Sequence, residues 1–516
     1  MYHEDTRGVY VTDIQELLNQ IEIADLETAP LLVDELIQDL DISELSSHQA
    51  LRTARALSVH GGPQRLPIAG ELAIRAHRAD LPGAGVLFAE CADKLALMTG
   101  RPQRFGTAAM EHQGDIVMGP LDGLADDAMR GDFGLPPLDT MRDNIHHRNL
   151  ELARQRSDQK YSDSNKSFFR VWTDPTEEDL TEQLDKNPSG VWSKGNILTF
   201  ASRSQGAGLM PGPVFEIPMW RVSKQDGSAT DLFCAQIYVD RLDEAVFGFG
   251  FWELDESGLP IGGVRGSVDE RFRGVDAPIE APSHEDENLR GVLLTTELNS
   301  LALRENRKIK VYLPPGHDPS VSLPVIYSTD GNMIAPYIRR LDAAIHNGVI
   351  DPIVVVAPHS APMDRSGNER ALEYLPGFDD QRFDRHQKFF VDELSLWAEK
   401  TFGTSNLRKD KAIFGCSDGA GHALATSALH KERFGHCIAF SSGMPPGQQI
   451  QWVETDAPFV HLCAGTLEAG FHQATEAWAA WLHFNKSDHH WTERVCGHDL
   501  IQWIEELPLA IERAWN

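Results

Sequence analysis

Lys411-Ala-Ile-Phe-Gly-Cys-Ser-Asp-Gly-Ala420 is the stretch that decides the fold of the C-terminal part of the chain. The apolar run Ala412 to Gly415 has the length of a buried strand, and a helix-forming stretch, Ala420 to His430, follows almost at once. Between them stands Gly415-Cys416-Ser417-Asp418-Gly419, the pattern G-x-S-x-G. Set between a strand and a helix, this pattern is a nucleophile elbow. The turn forces the serine into a strained backbone conformation, so small residues are needed two positions to either side. It also lifts Oγ above the sheet edge and aims the following backbone N–H at a developing oxyanion. The pentapeptide alone is a weak signal; its flanks carry the reading.

Working outward, apolar strand-like runs recur at Ile309 to Leu313, Pro324 to Ser328, Ile353 to Ala357, His436 to Ser441 and Phe459 to Ala464. Helix-like stretches separate them, Phe389 to Thr401 among them. Such alternation predicts a mostly parallel sheet with helices on both faces, and residues 288–516 read as an α/β-hydrolase domain. Further upstream the period changes. Residues 1–155 are helix-patterned, with Ile14, Leu17, Leu18 and Ile21, then Leu31, Leu32, Leu36 and Leu40, at helical spacing. Val86 to Met98 repeats the pattern and stops at Gly100 before Pro102. Residues 168–275 turn to a period of two, at Phe215, Ile217 and Met219, followed by the runs Leu232 to Val239 and Ala245 to Trp252. This predicts a small antiparallel β domain, a sandwich. Polar stretches, Arg156 to Ser167 and Asp276 to Asn288, read as linkers. With 516 residues, three domains agree with the length.

A nucleophilic serine needs a base, and in this fold the partners follow in the order serine, acid, histidine. His498, in a loop before the apolar helix Ile501 to Leu507, stands where the base is expected. The acid should follow an intervening strand. Gly465-Thr466-Leu467-Glu468 puts a carboxylate just past Phe459 to Ala464, so Glu468 is the candidate. Asp499 is the rival, but a sequence neighbour rarely reaches its own histidine's Nδ1. The alternative for Glu468 is a solvated residue opening the next helix. One oxyanion donor is the Asp418 N–H. The second is expected from the turn Asp330-Gly331-Asn332 after Val325 to Thr329, through the N–H of Gly331 or Asn332.

Composition narrows the partners. With 77 acidic and 47 basic residues the formal net charge is −30, which argues against nucleic acid as a partner. No run approaches the roughly 20 apolar residues of a membrane helix, and no signal-peptide core follows Met1, so the expected location is the cytoplasm. Cys91, Cys234, Cys416, Cys437, Cys463 and Cys496 show no zinc spacing and read as buried free thiols in a reducing compartment. No cofactor and no resident metal are implied. A homo-oligomer stays open.

Several of these motifs together carry a family resemblance. Val311-Tyr-Leu-Pro-Pro315, the Asp330-Gly331 turn, Arg370 to Pro376, the elbow, and Gly497-His498 followed by Trp503 resemble the esterase D superfamily, within it most of all the enterochelin (iron-siderophore) esterases. The resemblance covers about 230 residues. It implies a serine esterase with glutamate as the acid, a β-sandwich ahead of the hydrolase domain, and a ferric siderophore as the small-molecule substrate, any iron entering with it. Alternatives are another carboxylester of sugar-linked acyl or feruloyl type, acyl transfer to an alcohol, or a binding protein with a retired hydrolase domain. An intact Ser, Glu and His set argues against retirement. A polyanionic substrate needs cations, and Arg339, Arg340 and Arg370 are the candidates near the expected mouth. Arg370 has a second reading, pinning its own loop to a carboxylate. Ala420 departs from the family's second glycine after the elbow, and residues 1–155 have no counterpart in it. There, Arg101-Pro-Gln-Arg-Phe-Gly-Thr107 resembles an uncharacterised bacterial helical domain with a P-Q-x-[FY]-G-T motif. His77, Glu90 and Asp93 read as surface or satisfied core residues before a polar site, and His489-His490 as a solvated turn before a metal site.

Overall fold

The computed structural model describes residues 14–515, apart from 26–27, 39, 100, 113–114, 159–167, 204–207, 213–214, 225, 254–269, 285–287, 365–366, 447–456 and 469. The chain divides into two compact units, Met1–Lys160 and Tyr161–Asn516.

In the first unit, helices Ile14–Ile23, Ala29–Gln38, Ser47–His60, Leu66–His77 and Ala84–Met98 bury one apolar face each. Leu17, Leu18, Ile21 and Leu36 lie in that core, whereas Leu31 faces solvent and Val33 takes the buried place on its helix. A two-stranded ribbon, Ala109–His112 with Asp115–Met118, was not expected, since four-residue strands leave no readable alternation. The Arg101 to Thr107 loop wraps Asp93, which is fully buried. Its carboxylate accepts from the N–H groups of Arg104, Phe105 and Thr107 at 2.8, 3.0 and 2.8 Å, and from Thr107 Oγ1 at 2.8 Å. Asp93 is thus a satisfied core carboxylate, and the motif residues fold their own loop. His77 stacks on Phe133, with centroids 4.9 Å apart.

The second unit is built on an eight-stranded sheet: β1 (Val292–Ser300), β2 (Glu305–Leu313), β3 (Val325–Ser328), β4 (Val354–Pro358), β5 (Lys411–Cys416), β6 (His436–Phe440), β7 (Phe459–Gly465) and β8 (His489–Arg494). Their spatial order is β1-β2-β4-β3-β5-β6-β7-β8. Only β2 runs against the rest. Helices α1 (Ala335–His346), α2 (Asp418–Leu429), α3 (Phe471–Phe484) and α4 (Leu500–Trp515) cover its faces over two apolar clusters. The central strands β3, β4 and β5 are buried on both faces, which makes their sequences near-continuous apolar runs. Edge strands β1 and β8 lack such runs and were not anticipated. His489-His490 opens β8 instead of forming a turn, pairing beside Val460 and His461.

Residues 168–273 are largely β, with Phe168–Val171, Val191–Lys194, Ile197–Arg203, Trp220–Ser223 and Ala229–Val239 in one antiparallel sheet, plus an unexpected helix, Glu177–Lys186. They cluster with the hydrolase part in one compact unit. Their apolar core takes in Leu467 and Val495 from it.

Buried charge locks α4 to the sheet. Glu506, fully buried, accepts from Arg494 at 2.6 and 2.9 Å, Arg513 at 3.1 Å, Thr492 at 3.1 Å and His461 at 3.2 Å. Burial pushes its pKa up, but the His461 hydrogen bond and the Arg494 charge outweigh that and bring it down to about 2. Glu506→Gln removes the main counter-charge of Arg494. Unfolding by urea should show a loss of about 3–5 kcal/mol. The wild-type contribution is present above the unfolded glutamate pKa and fades as pH falls toward 2, so the two proteins should converge in stability in strong acid.

Candidate active site

At the end of β5 the chain turns through Ser417 with φ 58° and ψ −125° and enters α2 at Asp418. The Ser417 N–H donates to Phe440 O of β6 at 3.0 Å, which ties the turn to the neighbouring strand. The two elbow glycines are required sterically. A Cβ on Gly415 would lie 2.0 Å from Gly419 O, and one on Gly419 2.3 Å from Thr329 Oγ1. Ala420 fits the core, fully buried, so no second glycine is needed there.

Three loops at this end of the sheet bring the predicted side chains together. Ser417 Oγ lies 3.1 Å from His498 Nε2, and His498 Nδ1 lies 2.6 Å from Glu468 Oε2. Glu468 is fully buried, not a solvated residue. Its other oxygen accepts from Ser441 Oγ at 2.7 Å, Gln502 Nε2 at 3.0 Å and the Gly465 N–H. Ser441 itself sits at φ 55° and accepts from Trp503 Nε1 at 2.8 Å. Phe471 packs on the His498 ring with centroids 3.9 Å apart, and Trp503 meets it edge-on at 4.9 Å. Ser441, Gln502 and Phe471 were missed in the sequence. Of these only Ser441 carried a signal, its place at the end of a predicted strand.

Asp499 is elsewhere engaged. Its Oδ1 accepts from the N–H groups of Ile501 and Gln502 at 2.8 and 3.3 Å, capping α4, and its Oδ2 from the Gly248 N–H at 3.2 Å. Burial pushes its carboxyl up to about 7 against the pull of those amides.

The turn expected to bear the second oxyanion donor is a left-handed Asp330 (φ 53°) followed by a 3₁₀ turn, Gly331–Met333. Gly331 presses on β4, where a Cβ would meet Ala357 O at 2.0 Å. The Asn332 side chain accepts from Ser360 N and Oγ at 3.2 and 3.1 Å, so only its backbone faces the task. The Asp418 N–H opens α2, where first-turn amides lack intrahelical partners.

Two of the three candidate arginines are held by carboxylates of this chain. Arg370 grips Asp330 with Nε and Nη2 at 2.7 and 2.8 Å and Asp418 with Nη1 at 2.6 Å. Its guanidinium is spent on the two segments that carry the proposed oxyanion amides, which is the pinning reading. Arg340 is buried, with Nη1 on Ala281 O at 2.6 Å and Nη2 on Glu280. Arg339 is exposed and, with Arg271, His284 and Arg340, lines a cavity of about 220 Å³. Among the described residues no group of three His, Cys, Asp or Glu is placed to hold a metal ion, and no helix is long and apolar enough to cross a membrane.

Residues 300–499 match the family described as "Putative esterase". Among solved structures, ferric enterobactin esterase from Salmonella typhimurium matches at 16% identity with a TM-score of 0.50, covering 65% of this chain and 98% of that one. The enterobactin esterase from Shigella flexneri matches at 17% with a TM-score of 0.48, over 65% and 99%. A ferulic acid esterase from Anaeromyces mucronatus matches at 17% with a TM-score of 0.38, over 46% and 94%. At such identities the likeness is one of fold. A comparison with curated proteins gave no match.

Because Arg370 holds both amide-bearing segments, Arg370→Ala should slow labelling of Ser417 by a fluorophosphonate probe by about 10², the order lost with one oxyanion donor. Arg370→Lys should recover only part of the rate, since an ammonium cannot bridge in bidentate fashion. An alanine variant labelled at the wild-type rate would remove the link.

Proposed function

We propose that the chain is a serine carboxylesterase working through an acyl-enzyme. The observation that carries this reading is the continuous relay from Ser417 Oγ to His498 Nε2 and from His498 Nδ1 to Glu468. Ser417 attacks the ester carbonyl while His498 takes its proton. Glu468, desolvated and held by three donors, fixes the imidazole tautomer and stabilises the imidazolium that forms. The Asp418 N–H and the Gly331 or Asn332 N–H receive the oxyanion. His498 then protonates the leaving alcohol, and activates the water that cleaves the acyl-enzyme. The supporting role of Asp499 as a helix cap leaves Glu468 as the acid.

For the substrate, the reading is a ferric siderophore ester. Its support is the set of esterase D motifs and the order of β region then hydrolase part, an order the sequence shares with enterochelin esterases. Iron would enter as cargo of the substrate. The six cysteines, all buried and free, support a reducing compartment such as the cytoplasm.

Ser417→Ala should keep its unfolding midpoint and lose ester hydrolysis by several orders of magnitude, with fluorophosphonate labelling confined to Ser417 of the wild type. Glu468→Gln should cost up to about 10⁴ in kcat through the wrong tautomer. Label on another residue would overturn the nucleophile. Turnover of p-nitrophenyl or feruloyl esters with none of ferric enterobactin would move the assignment to a different carboxylester.

A further inference from the structure

We infer that the β region of residues 168–273 is part of the catalytic apparatus: its strand Val246–Phe249 positions the His498 and Glu468 loops, with Asp499 as the positioning residue that joins them. The inference rests on the hydrolase reading of Ser417, His498 and Glu468, and gives the β region a task in it.

Three contacts converge on the two loops. The Val246 N–H donates to Val495 O at 3.0 Å, so the strand runs on into the segment that carries His498. Two residues further, the Gly248 N–H donates to Asp499 Oδ2 at 3.2 Å. The apolar core of the β region, with Phe200, Phe247 and Phe249, also takes in Leu467 and Val495. Leu467 adjoins Glu468, and its N–H donates to Cys496 O at 3.0 Å, binding the acid loop to the base loop. The strand is therefore fastened on both sides of the base, and the apolar core it belongs to reaches Leu467, one residue from the acid.

Asp499 has a divided duty. One oxygen caps α4 and the other reaches the β region, so the axis of α4 and the seat of His498 are both referred to the Val246–Phe249 strand. The division makes the two duties separable. Asparagine caps a helix as well as aspartate does, but its amide would turn N–H toward the Gly248 N–H, donor against donor. Serine also caps well, and is too short to reach Gly248.

The test compares Asp499→Asn and Asp499→Ser with wild type in the full chain. The expected result is an unfolding midpoint within about 2 °C of wild type, since the cap survives. Fluorophosphonate labelling of Ser417 should slow about tenfold, part of the ~10² that a misplacement of order 1 Å costs. In turnover of p-nitrophenyl butyrate the loss should fall on kcat and leave KM unchanged. Hydrogen exchange at the Gly248 amide should speed up in both variants. Wild-type labelling rates in both variants overturn the inference and leave the hydrolase reading standing. A rate loss that tracks a matching loss of stability also overturns it, making Asp499 a cap alone. Absence of label in the wild type fells the hydrolase reading itself, and this inference with it.

Discussion

The left-handed backbone of Ser417 is the constraint from which the rest of the second unit follows. A non-glycine residue in such a conformation costs on the order of 1–3 kcal/mol and persists only where the surroundings over-determine it. Here they do. The Ser417 amide is bonded to β6, Gly415 and Gly419 touch where no side chain fits, and β5 is buried between β3 and β6. The sheet holds the turn, and the turn in return puts Oγ and the Asp418 amide at the same edge. Ser441 repeats the device one strand along, where a left-handed residue at the end of β6 presents its hydroxyl to Glu468.

Buried charge is used twice here, with different ends. Arg494 and Glu506 anchor a helix to the sheet far along α4. Arg370 bridges Asp330 and Asp418, two carboxylates on separate segments, and so fixes the distance between the amides proposed to act on one oxygen. A planar fork with several donors suits that task, and the cost of desolvating it is met by both carboxylates. Glu468 follows the same logic in reverse: one carboxylate with several donors on one oxygen leaves the other oxygen to the imidazole.

The elbow and the meeting of Ser417, His498 and Glu468 were legible because each residue obeys a local rule: glycines two either side of Ser417, and loops after apolar strands for Glu468 and His498. The central strands were legible for the same reason, being buried on both faces. Edge strands β1 and β8 were not, since half-exposed strands have no continuous apolar run. Nor were the contacts of long sequence separation. Nothing local tells that Arg340 turns to Glu280, 60 positions upstream, or that Gly248 reaches Asp499 across 251 positions. Nor does anything local show that the apolar core of the β region takes in Leu467 and Val495.

Chemistry and specificity are thereby separated in the molecule. Ester cleavage as proposed needs a relay and two amides, and these lie on elements tied to the central sheet. Recognition of an anionic substrate needs cations beyond those already paired, in a chain whose acids outnumber its bases by 77 to 47. Arg370 and Arg340 are committed to carboxylates of their own, so they add positional order and little net field. Arg339 on α1 lines a cavity beside Arg271 of the β region, whose guanidinium is itself paired with Glu280 at 3.2 Å. The β region therefore bears on the proposed reaction through geometry: Val246 and Gly248 hold the segment on either side of His498.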